Sequence, residues 1–114
     1  MLFILTGNDR VLIEQHIKQI LASYRLEKYS TSEDIKQACI NCLTLNLTGE
    51  VTATVLELSG GESKHLDLSQ IPRLNKSKNL LFLILESLDS RTKVAQALKP
   101  YIVSDSKLPS NWNS

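Results

Sequence analysis

Glycine is scarce in this chain, and its absence from one stretch is informative. After Gly7 the next glycine is Gly49. A phosphate-cradling loop at a first strand-to-helix turn needs two glycines five apart, then Lys and Ser or Thr. The turn Thr6-Gly7-Asn8-Asp9 has neither the second glycine nor the lysine, so ATP with Mg²⁺ is not expected to bind there. A surplus of charge is also missing. Thirteen basic against twelve acidic residues leave a net +1, which asks for neither nucleic acid nor a membrane surface as a partner. No apolar run approaches the ~20 residues of a membrane span. The opening MLFILTGNDR has no basic n-region and no cleavage site, so no signal peptide is expected. The expected address is therefore cytoplasmic, and the two cysteines are expected to be reduced. There is no Ser/His/Asp arrangement and no nucleophile elbow. His16 and His65 stand alone, and a zinc site would need more ligands than the sequence groups together. No catalysis, cofactor, metal or small-molecule substrate is expected.

What is present is an alternation of short apolar runs with helical patterns. Leu80 to Glu86, read as LLFLILE, holds six consecutive large apolar residues. Such a strand must be covered on both faces, as a central strand of a parallel sheet is. Leu2 to Leu5 is a second buried run. Asn8 or Asp9 can cap the helix after it, about Arg10 to Ser23, which places Ile13, Ile17, Ile20 and Leu21 on one face. Leu26 to Tyr29 reads as a strand. Ser30-Thr31-Ser32-Glu33 has the spacing of a capping box opening a helix that carries Ile35, Ala38, Cys39, Cys42 and Leu43. Leu45 to Gly49 is a loop, and Val51 to Leu58 a strand rich in β-branched residues. A short helix is predicted around Pro72, with Leu68, Ile71 and Leu74 inward, and Asn75 to Asn79 forms a polar connector. Ser87, Asp89 and Ser90 turn the chain into a helix over Arg91 to Lys99, which Pro100 ends, and Tyr101 to Val103 is a last strand. Five strands and four helices in this order predict an α/β fold with right-handed crossovers and a mostly parallel sheet. One domain is expected over residues 1–104, followed by a polar tail, 105–114, anchored by Trp112.

Three features need weighing. Cys39 and Cys42 form a C-x-x-C, but a redox pair wants its first cysteine at a helix N-terminus, where the dipole lowers the thiol pKa. These two fall in the later turns of the second helix, on the Ile35 face, which favours small core residues over a redox protein. Leu58-Ser59-Gly60-Gly61-Glu62 is similar to the signature loop of ABC transporter ATPases, but it follows a strand and has no phosphate loop, so a glycine turn is the reading taken. Arg73, Lys76, Lys78, Arg91 and Lys93 give the second half a basic bias, read as a solvated face before a nucleic-acid footprint.

Three stretches together resemble the first domain of the delta subunit of bacterial DNA polymerase III, a clamp-loader subunit. They are LFILTGNDRVLIEQHIKQIL, LTLNLTGEVTATVLEL and LLFLILESLDSRTKVAQALKPYIV, the last matched through Leu88, Asp89, Arg91, Lys93, Ala97, Leu98 and Lys99. The resemblance implies a three-layer sheet of five strands, P-loop NTPase or AAA+-like, that has lost its phosphate loop. It implies a DNA replication accessory protein with a sliding clamp and other clamp-loader subunits as partners, DNA only indirectly, and no membrane. Family members are much longer, continuing into a helical lid and collar. In that family an apolar pair in the middle loop, typically Leu-Phe, enters a pocket on the sliding clamp. The matching positions here are Leu47 and Thr48, with Leu45 just before them, so Thr48 stands where the family carries an aromatic. The alternatives are a non-catalytic module of the same fold with another protein partner, and the C-x-x-C redox protein.

Overall fold

A computed structural model of the chain describes residues 1–45, 47–58, 65–86 and 91–106, the side chains of 104–106 excepted. The apolar runs become strands because each is covered from both sides. The first is β1, Leu2–Gly7, followed by α1, Arg10–Ser23, whose first turn is capped by the Asp9 carboxylate accepting from Leu12 N–H at 3.2 Å. Then come β2 (Ser30–Ser32), α2 (Ile35–Leu43) and β3 (Ala53–Leu58). A 3₁₀ turn, Leu68–Gln70, leads into α3, Ile71–Lys76, which accepts Pro72 in its first turn because the N–H that proline lacks would be unpaired there anyway. The run of six leucine, isoleucine and phenylalanine residues is β4, Leu80–Leu85. After α4, Lys93–Leu98, the helix tightens into a 3₁₀ turn, Lys99–Tyr101, and β5 runs Ile102–Ser106.

The strands form one sheet in the order β2-β3-β4-β1-β5, and every pairing is parallel. β4 is the middle strand, and all six of its residues are buried. The two-residue period of a strand divides them. Leu81, Leu83 and Leu85 pack with Ala38 and Cys42 of α2, Ile71 and Leu74 of α3, and Leu98 of α4. Leu80, Phe82 and Ile84 pack with Ile13, Ile17 and Leu21 of α1. The chain is thus a three-layer α/β fold; among the described residues α1 lies on one face and α2, α3 and α4 on the other.

Four local expectations give way. Leu26 to Tyr29 is not a strand, because α1 ends in a Schellman-type cap. Leu26 N–H donates to Leu21 C=O at 2.8 Å and Arg25 N–H to Ala22 C=O at 3.0 Å, with Arg25 in the left-handed region at φ 59°. Leu26 is therefore committed to the helix end. The second strand instead takes Ser30 to Ser32, which pair with Thr54 to Leu56, so these serines do not form the capping box. Asp34 caps α2 instead, accepting from Lys36 N–H at 3.1 Å. The third strand begins two residues later than read, at Ala53, and the last extends to Ser106 rather than stopping at Val103. The Ser59-Gly60-Gly61-Glu62 turn, the turn residues Ser87 to Ser90 and the Trp112 tail lie outside the described residues.

Leu83 is 1% exposed on the three-helix side of the central strand. Leu83→Ala removes transfer free energy and leaves a cavity, an expected loss of about 2–5 kcal/mol. Denaturant titration should show a lower midpoint at unchanged slope. An unmoved midpoint would mean that β4 does not carry the core.

Candidate functional site

A parallel sheet has two unlike ends. At the carboxyl ends of its strands lies the crevice where open α/β sheets take ligands, here between β1 and β4 with β3 beside them. Gly7 turns the chain there with φ 125°, a conformation a side chain rarely adopts. The crevice is small, about 210 Å³, and lined by Gly7, Arg10, Glu57 and Glu86 among others. Among the described residues its lining carries two carboxylates and one arginine. The α1 N-terminus, whose free N–H groups would hold an anion, is occupied by the Asp9 carboxylate. The Arg10 guanidinium is paired with Glu57, whose hydrogen bond raises its pKa further, so this cation is already engaged by a carboxylate.

The opposite end holds the loop between α2 and β3. Thr44 closes α2, its hydroxyl donating to Ile40 C=O at 2.6 Å. Beyond it Leu45 is 71% exposed and Leu47 fully exposed; Thr48 is exposed as well. Gly49 follows with φ 76°, and a β-carbon there would meet nothing within 4 Å, so the backbone angle alone calls for glycine. All three residues that the sequence nominated therefore stand in water on one short loop. The leucines do not fold back on the core.

One buried side chain holds both ends of this loop. Asn79, 2% exposed, sits in the connector before β4. Its Nδ2 donates to Thr44 C=O at 2.6 Å, Cys42 C=O at 3.2 Å and Asn41 C=O at 3.3 Å, and its Oδ1 accepts from Thr52 N–H at 3.0 Å. The last carbonyls of a helix have no partner within it, and Asn79 supplies one. Ser77 adds a hydroxyl donated to Cys42 C=O. Sequence reasoning read Asn75 to Asn79 only as a polar connector. The signal it passed over was an asparagine directly before an all-apolar strand, a place where a buried amide has backbone groups to satisfy.

Cys39 and Cys42 do not make a reactive pair. Cys42 is buried, and its thiol donates to Leu74 C=O and Asn79 C=O, each at 3.8 Å. Cys39 is half-buried against the same cluster. Burial pushes both thiols above their ordinary range, the reverse of what a redox cysteine needs. His16 is half-buried on α1 and His65 exposed, and among the described residues no cluster of His, Cys, Asp and Glu could hold a metal. No helix among the described residues is long and apolar enough to cross a membrane.

No protein-family model matches this sequence, and no curated protein is significantly similar to it. Among solved structures, the fold is similar to that of the DNA clamp loader delta protein (YqeN) of Bacillus subtilis, with a TM-score of 0.64 at 19% identity. The match covers 93% of this chain and 38% of the Bacillus protein, so the chain spans well under half of that relative's length. The likeness establishes a clamp-loader delta-like fold.

The Asn79 side chain gives a test of the site's framework. Asn79→Ala leaves the partly buried Thr52 N–H and the carbonyls at the end of α2 without partners, an expected cost on the order of 3 kcal/mol. Asn79→Asp keeps the shape but replaces the donors with a carboxylate facing three carbonyls, and should be no better tolerated. Hydrogen exchange at the Thr52 amide should accelerate in both. Wild-type protection of that amide in either variant would show that the loop is held by something else.

Proposed function

We propose that this chain acts in DNA replication as a delta-like clamp-loader domain that touches a sliding clamp through Leu45, Leu47 and Thr48 and does not hydrolyse ATP. The observation that carries the reading is the loop itself. Two leucines stand in water on a segment whose two ends are tied by a buried amide. Exposed single leucines are ordinary, but two on one held loop form an apolar contact without a partner inside the described chain. The similarity in fold to a clamp loader delta protein supplies the class of partner. The Asp9 cap and the engaged Arg10 at the opposite end of the sheet support a role without nucleotide. Cys42 is buried and Cys39 half-buried, and the burial that pushes both thiols up weighs against the redox alternative.

Binding to a bacterial sliding clamp, followed by surface plasmon resonance beside melting curves, tests the contact. Burying one leucine in a pocket contributes roughly 1.5–3 kcal/mol. Leu47→Ala should therefore weaken clamp binding by about tenfold or more. It should leave the melting temperature nearly unchanged, since Leu47 touches no core. Thr48→Phe should strengthen binding by restoring an aromatic area. If Leu47→Ala unfolds the domain while clamp affinity holds, the loop is structural and the reading fails.

Titration calorimetry with ATP and Mg²⁺ should register no binding, because the α1 N-terminus already carries a carboxylate. Micromolar affinity would overturn the nucleotide-free role.

A further inference from the structure

Beside the loop the surface opens into a groove of about 420 Å³, lined by Leu43, Leu45, Arg73, Lys76, Ser77 and Lys78. Two of its lining residues are apolar, Leu43 half-buried and Leu45 largely exposed. Its walls carry three cations and no carboxylate. Arg73, Lys76 and Lys78 are all exposed, and none is ion-paired to a described residue. Arg91 and Lys93, grouped with them in the sequence, do not line it. Three of those five basic residues therefore share one groove with two leucines.

We propose that this groove takes a protein segment in which an apolar side chain is flanked by carboxylates, so that the partner's clamp-side contact is both apolar and acidic. The inference rests on reading the loop as a partner contact and names the chemistry that partner must bring. Interfaces bury an apolar centre within a charged, solvated rim, and complementary rim charges set the association rate and exclude wrong partners. Leu43 and Leu45 supply the centre, and Arg73, Lys76 and Lys78 the rim. A nucleic acid fits less well. The lining offers no aromatic ring on which a base could stack, and a phosphate backbone over Leu45 would leave that leucine unburied.

The test uses two arms. In the first, fluorescence anisotropy follows three probes: a short peptide of leucines flanked by glutamates, the same peptide with lysines for glutamates, and a single-stranded oligonucleotide. The acidic peptide should bind, more weakly as salt rises, and the lysine peptide should not. The triple variant Arg73→Glu/Lys76→Glu/Lys78→Glu should lose about tenfold or more in affinity, from three rim contacts of modest individual strength. Its melting temperature should stay put, since the three side chains are exposed. Lys78→Gln, which removes one charge without reversing it, should show the same trend in smaller measure and serves if the triple variant melts early. Equal binding of the two peptides overturns the proposal. So does an affinity indifferent to these variants, or binding of the oligonucleotide alone. The second arm repeats the clamp measurement. Clamp affinity that falls with Leu47→Ala but ignores the charge reversals overturns the groove and leaves the loop contact standing. Charge-dependent binding of the acidic peptide by a chain that ignores the clamp supports the groove and defeats the clamp reading.

Discussion

Everything in this fold depends on β4 being dry on both faces. A strand of six large apolar residues has no face to turn to water, so it must lie between strands and between layers of helices. Its neighbours β1 and β3 inherit that requirement through the parallel pairing, and the amphipathic faces of α1 on one side and α2, α3 and α4 on the other meet it. Because all pairings are parallel, the connections divide cleanly. The strands β1 and β4 finish at one end of the sheet, and β3 and β4 begin at the other.

That division separates two surfaces of different chemistry. At the carboxyl ends of the strands, among the described residues, Glu57 and Glu86 share a crevice with Arg10, which is paired with Glu57, and Asp9 caps α1. At the amino ends it places exposed leucines beside Arg73, Lys76 and Lys78. Among the described residues, one end carries two carboxylates beside a paired arginine; the other carries exposed leucines beside three unpaired cations.

The architecture was legible in the sequence wherever burial decided the outcome. The β4 run, the α1 stripe of Ile13, Ile17 and Leu21, and the Ile35 to Leu43 face are apolar patterns that permit one packing, and they appear where the patterns put them. The misplacements came where local geometry competed. Arg25 holds a left-handed position that usually belongs to glycine, so nothing marked the end of α1, and Leu26 looked free to start a strand. Ser30 to Ser32 have the composition of a cap, and only pairing with β3, a long-range effect, makes them a strand. At the candidate site the exposure of Leu45 and Leu47 could be asked of the sequence but not answered by it. The groove was invisible there, because Leu43 and Leu45 lie nearly thirty residues ahead of Arg73, and only the fold brings them together.

Each bond made by the Asn79 side chain ends on a main-chain atom, at Asn41, Cys42, Thr44 or Thr52. Main-chain atoms are the same whatever side chain they carry. The clasp therefore holds the loop's anchor points without reading the residues between them. Substitutions at positions 45, 47 and 48 would leave those bonds in place, and among the described loop residues Gly49 alone has a positive φ. The residues that anchor the loop and the residues that it exposes are thus different ones, set within the same few turns of chain.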